Sequence, residues 1–246
     1  SISCCYLFYP INHSNRSRAQ TRCGLRMKHI ALALHNYHDD HGAFPPASIV
    51  DDDGRPMHSW RVLILPYFEY QPLYTAYNLD EPWNGPNNRK LLSKIPEAYQ
   101  CPSHHRSHGQ FDTCYIAVTG KSTMWQDDRR TMSSDITDGL NMTVMLVEHH
   151  GLDIRWMEPR DLKFEQVSKQ FGQNEDAQEG PHSIESFFYR NSAGRHVVLA
   201  DGSVRFISDG VPTKSWNTVL TAAGGEKQSE HMALFSRYFK RKPTVG

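Results

Sequence analysis

Apolar positions recur at helical spacing in the first part of this chain and cluster in short strand-like runs in its second half. Between Ser17 and Gly42, the residues Leu25, Ile30, Ala33, Leu34 and Tyr37 fall on a helical repeat, and Arg22, Arg26 and Lys28 occupy other positions. This spacing predicts one amphipathic helix. Gly42 stops it, and Pro45-Pro46 forbids its continuation. Such a stripe must bury against another element, and a sheet is the expected partner, with Ile30, Leu34 and Tyr37 on the buried side.

The run WRVLILPYF from Trp60 to Phe68 is interrupted by Pro66. It reads as a short helix continuing from Tyr70 to Tyr77, against the alternative of a strand ending at Leu65. A second short helix is expected over Asn87 to Leu92. Pro82, Pro86, Pro96 and Pro102 make the surrounding region loop-rich. Strands are predicted at Tyr115–Thr119, at Thr143–Glu148 after the Asp138-Gly139 turn, at Phe187–Arg190, at Val197–Ala200 and at Ser203–Ser208. Asp201-Gly202 between two β-branched runs predicts a hairpin with a type I′ turn, with Phe206 buried and Arg205 pointing outward. The polar stretch Gln166 to Gly180 reads as a loop, and a last short helix is expected from Trp216.

Charge changes the picture little. Among 246 residues, 27 Lys and Arg balance 27 Asp and Glu, which argues against a general nucleic-acid binder. No window approaches the apolar length needed to span a bilayer, and the only candidate, SISCCYLFYP at the N-terminus, is too short.

Candidate chemistry is sparse. The five cysteines form no C-x-x-C pair, so a zinc ribbon is not expected. Fourteen histidines gather as His35/His38/His41, His104/His105/His108 and His149/His150, yet no metal signature such as H-E-x-x-H is present. We expect locally hydrogen-bonded imidazoles and no cofactor. G-x-S-x-G, the P-loop and G-x-G-x-x-G are all absent. Glu148 with His149 and His150, at the end of a predicted strand, could sit at an active site, as could almost any polar residue at a strand end. The aromatic residues Trp60, Tyr67, Tyr70, Tyr74 and Trp83 offer a ligand platform or, with more weight, a core packed under the long helix.

Several long blocks occur in order: LALHNYHDDHGAFPP from Leu32, SWRVLILPYFEYQPLY from Ser59, DEPWNGPNN from Asp80, AYQCPS from Ala98, ITDGLNMTVMLVE from Ile136 and ADGSVRFIS from Ala200. Together they resemble a bacterial family of unknown function, DUF1559, expanded in planctomycetes and built like type II secretion pseudopilins. The resemblance covers Arg18 to Ser208. The family's closing motif is His-x9-Asp-Gly, and here Asn191 stands at the His position before Asp201 and Gly202.

The resemblance implies an α+β fold with a pilin-like N-terminal helix on an antiparallel sheet and a helical, loop-rich insertion. It divides the chain into 1–16, a tail or the remnant of a membrane-anchoring helix, 17–225, the pilin-like domain, and 226–246, a charged appendage. It implies a non-catalytic structural subunit related to type II secretion and type IV pilus-like assemblies. An envelope solute- or glycan-binding module is the alternative, and a metal-dependent hydrolase a more distant one. Implied partners are further copies or other pilin-like subunits, through the N-terminal helix. Membrane contact is implied only through an apolar N-terminal segment that this chain lacks, with the domain facing the periplasm. A disulfide between Cys23 and Cys101 is implied because both lie in family-like blocks, with Cys101–Cys114 the competing pair. The calcium site of some pseudopilins points to Asp201, Asp209 and Asp138 as weak candidates, against their simpler role as turn residues.

Overall fold

One helix, α1 (Tyr9–His41), dominates the N-terminal part of the molecule. The computed structural model describes residues 9–102, 110–126, 129–171, 194–208, 211–225, 233 and 239–240. At 33 residues α1 is roughly 50 Å long. Pro10 falls in its first turn, where the missing N–H would have had no partner within the helix. Cys23, Met27, Ile30, Leu34 and Tyr37 form the buried stripe, at alternating steps of four and three residues. Leu25 departs from the expectation. It is two residues beyond Cys23, about 200° around the helix, and it is 56% exposed beside solvent-facing Leu32 at 59%. No described helix is long and apolar enough to cross a membrane.

After α1 come β1 (Ser48–Val50), β2 (Pro56–Ser59), α2 (Trp60–Leu63) and α3 (Gln71–Ala76). A 3-10 turn at Leu65–Phe68 joins α2 to α3, so the Trp60–Tyr77 region is helical as expected. A 3-10 segment at Asn88–Lys94 replaces the helix expected there. Then follow β3 (Asp112–Thr113), β4 (Tyr115–Thr119), β5 (Val144–Glu148), β6 (Ile154–Arg155), β7 (Leu162–Lys163), α4 (Phe164–Phe171), β8 (Gly194–Leu199), β9 (Val204–Ser208), α5 (Thr213–Leu220) and β10 (Phe239–Lys240).

The main sheet has the order β10-β9-β8-β5-β4-β7, antiparallel except for the β4–β7 pair. The fold is therefore α+β. The central strands β4, β5 and β8 are buried at every residue, because both faces of the sheet are covered. Toward α1 lie Tyr115, Ala117, Leu146 and Val198. On the other face Ile116, Val118, Val147, Val197 and Leu199 pack with Val167 of α4 and Trp216, Val219 and Leu220 of α5. Helix α4 occupies the start of the segment read as a loop. Phe164 and Val167, three residues apart, supply its apolar side, while Glu165 and Gln166 are exposed and mask the pattern.

The β8–β9 hairpin forms where predicted, with a different turn. The Gly202 N–H bonds to the Leu199 carbonyl at 2.8 Å, so Ala200 and Asp201 are the central residues. Only Gly202 has positive φ, at +76°, where a type I′ turn would need it at two residues. This is the three-residue hairpin loop closed by a left-handed glycine. Strand pairing starts at Val198↔Val204 and brings His196 opposite Phe206. Phe206 is consequently half-buried at the margin of the α1-facing side, Arg205 is half-buried too, and Ile207 takes the fully buried place.

The recurring sequence blocks do structural work. The Ser59 hydroxyl accepts the Arg61 N–H and caps α2. Arg61, with no exposed surface, pairs with Asp161 at 2.5 Å. Buried Asn88 ties together Asn78, Glu81 and Pro82 through four hydrogen bonds.

Candidate functional site

Four distant segments end at one place beneath α1. Cys23 comes from α1, Cys101 from the loop after the 3-10 turn at Glu97–Tyr99, Cys114 from the residue before β4, and Glu148 and His150 from the end of β5 and just beyond it. Strand pairing sets the arrangement. Tyr115 faces Glu148 across the β4–β5 ladder, and the His149 N–H continues it to the Cys114 carbonyl at 2.9 Å. On the other side of β5, β8 brings His196 beside Glu148.

The group is buried. Cys23 and Glu148 have no exposed surface, and Cys101, Cys114 and His196 have at most 5%. Cys23 Sγ and Cys101 Sγ stand 3.2 Å apart, and Cys101 Sγ lies 3.5 Å from Glu148 Oε1. One ligand atom from each of Cys101, Cys114, Glu148 and His150 falls within 4.8 Å of the others. The second carboxylate oxygen, Glu148 Oε2, accepts the His196 backbone N–H at 3.1 Å and contacts His196 Nδ1 at 2.8 Å. An ionised carboxylate only accepts, so in that state Nδ1 carries the proton.

Helix α1 approaches this place closely because residue 24 is glycine. A Cβ there would stand 3.2 Å from His196 Nε2. A mid-helix glycine costs about 1 kcal/mol relative to alanine, and close packing on the imidazole is its physical reason here. In the sequence Gly24 carries little signal, since a lone glycine is tolerated in a helical pattern.

Burial pushes the Cys114 thiol up to about 11. Hydrogen bonding with Cys114, then burial, raises Cys101 well above the ordinary thiol range, against an opposing pull from Cys23. Both are therefore protonated thiols at neutral pH and poor nucleophiles. The Tyr115 hydroxyl is fully buried and hydrogen-bonds to no group among the described residues, and burial raises its pKa well above the ordinary phenol value.

The implied cysteine pair thus meets in space without forming a bond, since a disulfide requires about 2.05 Å. Glu148 and His150, named in the sequence at a strand end, belong to the group, and His149 turns instead toward Arg195 at 3.4 Å. The first histidine cluster disperses: His38 meets Ser133 Oγ at 3.0 Å, His41 stacks on Tyr37, and His35 lies against Gly202. Asp201 Oδ1 accepts the Ser203 N–H at 2.8 Å, and Asp138 accepts the Gly224 N–H at 2.6 Å, so both aspartates shape turns. Asp209, Asn191 and the His104/His105/His108 cluster lie outside the described residues.

Of the proposed aromatic platform, Trp60 is core rather than surface. Its ring is fully buried, and its Nε1–H donates to Asp161 at 3.1 Å. Tyr67, Tyr70, Tyr74 and Trp83 are partly buried against the same core. Tyr70 and Phe68 also line a shallow groove of about 310 Å³ with Arg22, Leu25, Arg26 and His29 of α1. Arg26 holds the far wall by donating to the Gln100 carbonyl and, at 2.6 Å, to Glu97.

No curated protein and no solved structure matches the chain. A family model described as "Protein of unknown function (DUF1559)" matches residues 17–214. That span runs from α1 into α5 and takes in every strand of the sheet but β10 and all the residues grouped beneath α1, and the chain belongs to the DUF1559 family.

Proposed function

We propose that this protein is a non-catalytic, pseudopilin-like subunit of the cell envelope. The observation that carries this reading is the division of labour along α1. One stripe of the helix packs on the sheet, while Leu25 and Leu32, seven residues apart on the outward side, stay exposed. Exposed leucines two turns apart are suited to helix–helix packing between subunits. Photo-crosslinking residues at positions 25 and 32, in cells expressing the complete reading frame, test this. Crosslinks to further copies or to other pilin-like subunits in the envelope fraction are expected. A protein that is monomeric at both positions and absent from that fraction would overturn the assignment.

In an oxidising envelope the Cys23 and Cys101 thiols bridge, giving up two protons and two electrons to a disulfide-bearing oxidant. The 3.2 Å sulfur contact supports this pairing. Peptide mapping of envelope-derived protein under non-reducing conditions checks it, and finding both thiols alkylated refutes it.

The groove beside α1 favours a second reading, an envelope solute- or glycan-binding module, because it joins Phe68 and Tyr70 to arginine and histidine side chains. A glycan or small-solute panel read by thermal shift separates the two. A ligand whose stabilisation is lost in Tyr70→Ala, without crosslinked assemblies, supports the binding module.

A further inference from the structure

We infer that Cys101, Cys114, Glu148 and His150 form a binding site for a zinc-type divalent transition metal, held from behind by His196. Two thiols, an imidazole and a carboxylate make a mixed sulfur, nitrogen and oxygen set of the kind that suits Zn²⁺. In a tetrahedral zinc site the ligand atoms stand roughly 3.3–3.8 Å apart. Here the four atoms lie within 4.8 Å of one another, and Cys101 Sγ and Glu148 Oε1 are already at 3.5 Å. Small side-chain rotations complete the geometry.

A further feature points the same way. Metal-bound carboxylates and imidazoles are commonly oriented by a partner behind them. Glu148 Oε2 is held by His196 through both its backbone N–H and its ring nitrogen, and this leaves Oε1 on the cysteine side.

Four protein ligands close the coordination shell, so the site is structural. It staples the loop carrying Cys101 to the ends of β4 and β5 under α1. Binding displaces the protons of Cys101 and Cys114, so affinity rises with pH. The Cys23–Cys101 bridge and the metal both require Cys101 Sγ, so they are alternative states, and the metal belongs to the dithiol form.

The full chain, reduced with a phosphine and stripped of metal, is titrated with Co²⁺ and then with Zn²⁺ in competition with a chromogenic chelator. One Co²⁺ per chain is expected, with thiolate-to-cobalt charge-transfer absorption and the intense visible bands of tetrahedral Co²⁺, both erased by Zn²⁺. Cys114→Ser and His150→Ala should each weaken Zn²⁺ by at least about 100-fold, and His196→Gln by about 10- to 100-fold. Cys23→Ser should leave stoichiometry and spectrum intact. His150 is only partly buried, so His150→Ala should keep the wild-type circular dichroism and isolate ligation from folding. Absence of binding to the reduced protein, cobalt bound without thiolate absorption, or undiminished affinity in folded His150→Ala each overturns the site.

Discussion

Two buried polar centres meet at Tyr115, and they are built on opposite principles. At its backbone carbonyl lies the Arg61–Asp161 pair. The guanidinium has five N–H donors, and Arg61 makes five hydrogen bonds, to Ser59, to Asp161 twice and to the Tyr115 carbonyl twice. Asp161 in turn accepts the Ala117 N–H at 2.8 Å and the Trp60 indole at 3.1 Å. Every group is used and no atom remains for anything else. Across the strand ladder from the same residue, at Glu148, lie the cysteines and His196, with the Cys101 thiol 3.2 Å from Cys23 and 3.5 Å from Glu148. A sealed ion pair fixes the fold. A thiol, carboxylate and imidazole group with exchangeable protons can accept something.

The largest effect should come from breaking the sealed centre. Arg61→Met leaves Asp161 buried and unpaired, and removing one partner of such a pair costs about 3–5 kcal/mol. Urea denaturation of the reduced protein measures it, and a loss below about 1 kcal/mol would place the two centres in the same class. Next comes the hairpin under α1. Gly202→Val forces a β-branched residue to φ +76° with its Cβ 3.1 Å from His35, and should cost about 1–3 kcal/mol, while Asp201→Asn, which keeps the turn hydrogen bond, stays near neutral. By contrast with Arg61, Cys114→Ala in metal-free protein should cost only about 1 kcal/mol, the loss of one small buried group without an orphaned charge. A loss matching that of Arg61→Met would show that the thiols are as indispensable to the fold as the ion pair.

The smallest effect is in pH. Burial lowers the pKa of both His35 and His58 below the ordinary value of 6.5. The unfolded chain therefore takes up protons at these positions first as pH falls. Stability contributed by the neutral rings is complete above pH 6.5 and is lost as pH drops below it toward the depressed folded values. His58→Gln should flatten that part of the stability curve, measured by denaturant midpoints between pH 7.5 and 5.

How much of this was legible in the chain depends on how local each signal is. The Ile30, Leu34 and Tyr37 stripe and the Asp201-Gly202 hairpin depend on neighbouring residues, and both form. Leu25, counted in the apolar stripe, lies on the exposed side instead, because an apolar residue on an outward helix face looks like one on the inward face. The turn register slipped by one, since a glycine at φ +76° serves two kinds of hairpin loop, and that slip moved burial from Phe206 to Ile207. Helix α4 was hidden by its polar side, where Glu165 and Gln166 are exposed. The candidate site was visible only in fragments. Cys101, Cys114, Glu148 and His150 come from separate segments, so no spacing motif links them, and only the pairing of Tyr115 with Glu148 and of β5 with β8 brings them together. Strand alternation puts His150, two residues past Glu148, on the same side as Glu148 and His149 on the other. One follows the strand into the cluster, and the other turns toward Arg195.

The contrast between a sealed centre and an accepting one is tested most directly by X-ray absorption at the zinc edge of the reduced, zinc-loaded full chain. The account predicts two sulfur neighbours at about 2.3 Å and two nitrogen or oxygen neighbours at about 2.0–2.2 Å, with one sulfur lost in Cys114→Ser. A shell of nitrogen and oxygen alone, or a sulfur count unchanged in Cys114→Ser, would contradict it.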